Sequence, residues 1–472
     1  MKIRHDDVII DPENPFKNCK LGRKKYADIL TSIIESYNDG FVLAINSEWG
    51  TGKTTFVRMW EKELEIKKYQ TLYFNAWEND FESNALVAIM SELKSVITDD
   101  NEEQYKLLLK KGAVLAKSVV PKLLKAIISK YVDSKELGEI LEGVSDGAME
   151  IFQDQIKDYA NKKKSLIEFK ESLSKFIAKS NTGKPIIFII DELDRCRPDY
   201  AVDVLEKIKH FFSVPGIVFV LSIDKVQLGN AVRGVYGSDR INSDEYLRRF
   251  IDLEYSVPSP NTEVFCKYLF EYFEYSKFFY STRRRTLSEF KSDSETLIMV
   301  SKILFEKNNL SLRQQEKIFA LGRIILTSFK DNQHLFPELY LMLLFLKTYH
   351  VSFYERIKKM QLSHQELLDG LEEIIPKGAT EREIRYFINI EALLIFMYNN
   401  FIPFEMRKTL LEINSETQTR ELKSVVESRT DKSPDKNTFV IFLKNHTSSI
   451  YYNHISLEYL LNKIDLITSI DD

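Results

Sequence analysis

Apolar and polar positions follow one rhythm in the first half of this chain and another after about residue 256. In the first half three uninterrupted apolar runs stand out, Phe41-Val42-Leu43-Ala44-Ile45, Ile186-Ile187-Phe188-Ile189-Ile190 and Ile217-Val218-Phe219-Val220-Leu221. Runs with no polar alternation read as strands buried on both faces, as in a parallel sheet covered by helices. A further strand is expected around residues 70–75. Before the first run, Tyr26, Ile29, Leu30, Ile33 and Ile34 fall on one side of a lead-in helix. After residue 256 the repeat is helical: Phe265, Tyr268, Leu269, Tyr272 and Phe273 recur at a spacing near 3.6, and no alternating strands are visible. The apolar stretches Leu339 to Leu346 and Ala392 to Tyr398 are too short to span a bilayer and read as buried helices. No internal repeat is present.

Between residues 100 and 165 lies a helical arm. Leu107, Leu108, Val114, Leu115 and Val119 are interrupted by Lys106, Lys110, Lys111 and Lys117. Pro121 then starts a second helix, with Leu123, Leu124, Ile127 and Ile128 among Lys122, Lys125 and Lys130. The pattern predicts a helical hairpin with a solvated basic face; a membrane-surface or partner-binding helix is the alternative. No stretch approaches the roughly 20 apolar residues of a spanning helix. Residues 427–437 are expected to form a mobile loop, and Arg283-Arg284-Arg285 a solvated basic turn rather than a nucleic-acid contact.

Charge and cysteine usage narrow the class. A net charge of −4 gives no general attraction to nucleic acid or anionic lipid. Three distant cysteines, Cys19, Cys196 and Cys266, fit a reducing cytoplasm rather than a disulfide scaffold, and the seven histidines show no metal-ligand spacing. The first residues lack the pattern of a signal peptide.

The chemistry sits at the ends of two strands. After the first run the chain reads Ser47-Glu48-Trp49-Gly50-Thr51-Gly52-Lys53-Thr54-Thr55. A glycine-containing turn between a strand and a helix start aims backbone N–H groups at phosphate oxygens. Trp49 through Thr55 form the expected nucleotide cradle, with Lys53 reaching the β/γ-phosphates and the Thr54 hydroxyl ligating Mg²⁺. Ser47 stands where this loop usually has glycine, and a slightly different start to the turn is expected. The run ending at Ile190 delivers Asp191 and Glu192 to the same sheet edge. Asp191 is expected to organise the metal and Glu192 to polarise a water for attack on the γ-phosphate. Ser222 and Asp224, after the next strand, read either as a sensor of that phosphate or as a satisfied strand end. Nothing like an Asn-Lys-x-Asp guanine reader appears, so ATP is the expected nucleotide.

The stretch Asp191-Glu192-Leu193-Asp194-Arg195-Cys196-Arg197-Pro198 resembles the Asp-Asp-Leu-Asp-Arg-Cys-x-Pro signature of the KAP family of P-loop NTPases. Phe74-Asn75-Ala76-Trp77 resembles the family's Phe-Asn-x-Trp element, and Trp49-Gly50 stands in the phosphate loop as it does there. Tyr246-Leu247-Arg248-Arg249-Phe250 matches a family segment with Arg in place of an acid. The resemblance covers roughly residues 20–330. It implies an α/β fold: a P-loop NTPase core with a parallel sheet of the Asp-Glu hydrolytic class, a helical insertion and a mainly α-helical C-terminal region. The expected division is 1–99 and 166–258 for the core, 100–165 for the insertion, 259–335 for a helical lid and 336–472 for a C-terminal domain. Arg195 is expected to sense or stabilise the γ-phosphate, within its subunit or across an interface. Arg313, in the first turn of a helix capped by Ser311 and Gln314, resembles the family's lid arginine.

The resemblance implies an ATP-hydrolysing switch in bacterial phage defence or mobile-element conflict, with a protein partner or a second copy. A nucleotide-gated scaffold for a separate effector is the second reading. An ATP-driven machine on nucleic acid, resting on scattered lysines, is the third.

Overall fold

The computed structural model describes residues 9–466 apart from 38–39, 82–83, 116–149, 181–182, 239, 376–377, 414–421, 433–436 and 449–455. The chain divides between Ser259 and Pro260 into two compact units.

The first unit runs Lys24–Ser36 (α1), Val42–Asn46 (β1), Lys53–Ile66 (α2), Thr71–Asn75 (β2), Ala85–Glu92 (α3), Glu102–Leu115 (α4), Glu150–Ser180 (α5), Ile186–Asp191 (β3), Pro198–Phe211 (α6), Ile217–Ile223 (β4), Lys225–Tyr236 (α7), Ser243–Leu247 (α8) and Leu253–Ser256 (β5). The five strands form one parallel sheet in the order β2-β3-β4-β1-β5. Every residue of β3 and β4 is buried, which is why their sequences show no polar alternation. The two faces still separate by parity. Leu43, Ile45, Ile187, Ile189, Val218 and Val220 pack with Leu30 and Ile34 of α1 and Phe56 and Trp60 of α2. Ala44, Phe188, Ile190, Phe219 and Leu221 pack with side chains from the helices on the other face. Burial of each large side chain contributes about 1.5–3 kcal/mol. Because β4 lies between β1 and β3, the loop after β1 and the acids after β3 reach the same edge with one strand between them.

The stem of the helical arm is α4 on α5. The Tyr105 and Phe176 rings lie 5.6 Å apart, and buried Asn101 donates to Ser180 Oγ at 2.7 Å. Lys106 and Lys111 are half-buried and pair with Glu102 and Glu168 at 3.1 and 2.6 Å, while Leu107, among the arm's apolar residues, is exposed. Lys117, Val119, Pro121, Lys122, Leu123, Leu124, Lys125, Ile127, Ile128 and Lys130 lie outside the described residues. Among those described, no helix is long and apolar enough to cross a membrane.

The second unit is helical: Thr262–Tyr272 (α9), Tyr275–Phe279 (α10), Thr282–Thr286 (α11), Asp293–Lys307 (α12), Leu312–Leu326 (α13), Pro337–Tyr349 (α14), Val351–Lys358 (α15), His364–Ile374 (α16), Glu381–Phe401 (α17), Asn437–Ser448 (α18) and Leu457–Ile464 (α19). Leu339 to Leu346 in α14 and Ala392 to Tyr398 in α17 are buried throughout, as their composition predicts. Three expectations change. Leu411–Ile413 (β6) and Leu422–Ser424 (β7) pair antiparallel, each too short to show alternation in the sequence. Arg284 is only 1% exposed. Its guanidinium lies 4.0 Å from the Phe290 ring centroid and 4.6 Å from that of Phe278, pairs with Asp293, and donates to the Gln333 carbonyl at 2.8 Å. Ion pairing and ring faces offset its desolvation, so the middle arginine of the basic turn anchors the fold while its neighbours stay exposed.

The third change is at residues 428–431, expected to be mobile: Ser428, Thr430 and Asp431 are buried. The Ser428 and Thr430 hydroxyls donate to the two carboxylate oxygens of Glu391 in α17. Burial pushes the Glu391 carboxyl up to about 7, against the pull of those hydroxyls and with a further push from Glu372 and Asp431. The folded protein therefore keeps a proton that the unfolded chain releases. This stability is complete below the ordinary value of 4.5 and is lost as pH rises through about 7. Circular dichroism melts are expected to show a falling unfolding temperature between about pH 5 and about pH 8. Glu391→Gln is expected to flatten that slope; an unchanged slope in the variant would exclude Glu391 as its source.

Candidate functional site

The loop between β1 and α2 is shaped by its own side chains as well as by glycine. Gly50 and Gly52 have φ of +77° and +79°, a region open to glycine at little cost. Ser47, where glycine was expected, carries its hydroxyl 2.7 Å from that of Thr51, which donates to the Glu48 carbonyl at 2.8 Å. The Ser47 amide donates to the Ile223 carbonyl at the end of β4. Serine at this position therefore closes the loop with a side-chain strap in place of glycine's freedom.

Arg23, immediately before α1, is buried and reaches the outside of the loop. Its guanidinium donates to the carbonyls of Thr51 at 2.6 Å and Gly52 at 3.0 Å. Burial holds its pKa below the ordinary arginine value. A cation anchoring these two carbonyls fixes the peptide planes next to Lys53. The sequence did not reveal it: a single arginine before an amphipathic helix looks like any exposed helix-start residue.

Lys53 begins α2, with Thr54 and Thr55 half-buried behind it. Its ammonium donates to the carbonyls of Ser47 and Glu48. Burial lowers its pKa, and Asp194, Asp224 and Asp191, in falling order, oppose that shift. The Asp191 oxygens are both oriented: Oδ2 accepts from the Tyr73 hydroxyl of β2 at 2.8 Å and Oδ1 from the Glu192 amide at 3.0 Å. Burial and the adjacent Asp191 charge push the Tyr73 hydroxyl well above its ordinary value, so it remains a donor.

The chain turns sharply at Glu192, whose φ of +60° and ψ of 24° are left-handed. For a non-glycine residue that costs on the order of 1–3 kcal/mol. Its carboxylate is held from two sides, by Asn75 Nδ2 at 3.2 Å on Oε2 and by Arg195 at 2.5 Å on Oε1. The Arg195 guanidinium in turn lies 5.7 Å from the centroid of the Trp77 ring. Thus the Phe-Asn-x-Trp element at the end of β2 supplies a hydrogen bond to Glu192 and a ring beside Arg195.

Asp224 caps α7 through the amides of Val226 and Gln227, and its other oxygen accepts the Trp49 amide at 3.2 Å. Ser222 Oγ is buried without a partner. Of the two readings for this strand end, Asp224 is satisfied and Ser222 is not. Asp194 accepts the Trp49 indole N–H, and burial pushes its carboxyl up against the pull of that bond and of Lys53. Lys53, Asp191, Glu192 and Arg195 therefore meet at one edge with the Trp49–Thr55 segment. Arg313 belongs to the second unit, exposed in the first turn of α13 after the predicted Ser311–Gln314 capping box.

A phosphate loop and an acid-bearing strand end, separated by one parallel strand, define a P-loop NTPase domain, a class whose loop implies nucleotide binding. The KAP family P-loop domain matches residues 23–389, and the chain belongs to that family. It is 22% identical over 273 residues to the phage T7 exclusion protein of Escherichia coli, covering 53% of this chain and 34% of that protein's length. It is 27% identical over 181 residues to an uncharacterized protein of Methanocaldococcus jannaschii, covering 33% of this chain and 90% of that one. A solved structure of the Aeropyrum pernix ORC2 protein in ADPNP–ADP complexes covers 94% of this chain and 93% of its own, with 14% identity and a TM-score of 0.32.

Arg23→Lys keeps the charge and loses the two-pronged grip. Isothermal titration with ADP is expected to show affinity about tenfold weaker, the equivalent of one hydrogen bond to a charged group. Wild-type affinity in this variant would show that the clamp does not shape the loop.

Proposed function

We propose that this chain is an Mg²⁺-dependent ATPase that works as a nucleotide-controlled switch in phage defence, in the cytoplasm. The observation that carries the reading is the shared edge, where Lys53, held on the Ser47 and Glu48 carbonyls, stands at the ends of the same parallel strands as Asp191 and Asp224, beside a fixed Glu192. The likeness to the phage T7 exclusion protein supports the setting. The three unpaired cysteines support the compartment.

The residues fit a hard divalent cation. A threonine hydroxyl and an oriented carboxylate are the oxygen donors that Mg²⁺ takes while keeping several waters. Thr54 and Asp191 would hold it; when bound, it neutralises charge on the β- and γ-phosphate oxygens. The loop amides from Trp49 to Thr55 bind the phosphates, and Lys53 exchanges its loop carbonyls for phosphate oxygens. Glu192 polarises the attacking water. A carboxylate offers about four acceptor positions, so the bonds to Asn75 and Arg195 leave room for that water while fixing its direction. Arg195, paired with Glu192, is assigned to stabilise charge that develops on the γ-phosphate. Arg313 is assigned to nucleotide sensing by the second unit on family resemblance alone. A protein partner or a second copy would read the switch.

Mg-ATP turnover is the test. Lys53→Ala is expected to lose both binding and turnover. Glu192→Gln is expected to bind ATP and turn over at least about 100-fold more slowly, the usual contribution of a general base. Wild-type turnover in Glu192→Gln would contradict the assignment. Turnover that appears only with added DNA would replace the switch by a machine acting on nucleic acid.

A further inference from the structure

Trp49 sits in the middle of the phosphate loop, and both of its N–H donors are held by carboxylates. Its amide donates to Asp224 at 3.2 Å and its indole to Asp194, which lies 145 residues away in sequence. Trp49 is 44% exposed, so packing does not explain its position. Asp194 is only 7% exposed, so the indole bond is made in a part of the site largely closed to water. Asp194 is also the carboxylate with the largest influence on Lys53.

We infer that the contact of the Trp49 indole with Asp194 is a latch between the phosphate loop and the acidic turn, and that γ-phosphate binding opens it. This rests on the nucleotide-binding reading above. A phosphate that engages the Trp49 amide competes directly with Asp224 for that donor. A change at the amide moves the indole attached to the same residue, and the indole's partner is the turn that carries Glu192 and Arg195. The end of the nucleotide facing that turn is the γ-phosphate, so a diphosphate leaves the latch closed and a triphosphate works against it. Asp194 is then a positioning residue: closed, it opposes the triphosphate; released, it frees the turn around Glu192.

Isothermal titration with Mg-ADP and with Mg²⁺ and the non-hydrolysable β,γ-imido analogue of ATP tests this directly. Trp49→Phe removes the indole donor without changing charge, and Asp194→Ala removes the acceptor. Each is expected to raise the ratio of triphosphate to diphosphate affinity about five- to tenfold, the net scale of one hydrogen bond. The double variant is expected to gain no more than either single one, since both break the same bond. Trp49→Phe alters a half-exposed ring and keeps the test available where Asp194→Ala does not fold. A ratio unchanged in both variants, or equal losses for both nucleotides, would overturn the latch and leave a structural contact. A wild-type chain that binds neither nucleotide would instead overturn the function proposed above, and the latch with it.

Discussion

One half-buried ammonium group organises this protein's working edge. Lys53 is held by two loop carbonyls, feels three carboxylates from the ends of β3 and β4, and is partly removed from water. No member of that cluster is tolerable alone. A desolvated cation needs the acids, and acids gathered at one strand edge need the cation. The rest of the unit serves this balance. Arg23 fixes the loop from outside, Tyr73 and the Glu192 amide orient Asp191, and Asn75 and Arg195 hold Glu192. An incoming polyanion enters a site where each positive charge is already balanced. Binding therefore means exchanging internal partners for phosphate rather than filling an inert hole.

The sheet makes that balance reachable. With β4 between β1 and β3, the loop and the acidic turn are one strand apart, and the polar end of β4 lies between them. The central strands are buried on both faces, so the edge stands on fully packed strands. The strained backbone at Glu192 is tolerated there because its neighbours on both sides are fixed.

How much of this the sequence disclosed follows from interaction range. The strand, loop and helix around Lys53, the continuous run ending at Asp191, and the Ser311–Gln314 capping box are local patterns, and each appears where its residues predict. The pairings that shape the site join residues far apart: Trp49 with Asp194, Asn75 with Glu192 across 117 positions, and Arg23 with Thr51 and Gly52. Each partner alone has an ordinary local role, so nothing in its neighbourhood marks it. Arg284 and the Ser428–Asp431 segment misled for the same reason. Polar sequence suggested solvent, while distant partners, aromatic rings around one and Glu391 against the other, make burial favourable.

The central claim is that the phosphate loop and the acidic turn form one charge-coupled unit that responds to nucleotide together. Hydrogen–deuterium exchange with and without Mg-ATP, read at peptides covering residues 47–55 and 191–197, measures this without relying on any variant. Both segments are expected to change protection at the same nucleotide concentration, although 145 residues separate Trp49 from Asp194. Protection that changes in the loop while the acidic turn exchanges as before would contradict it.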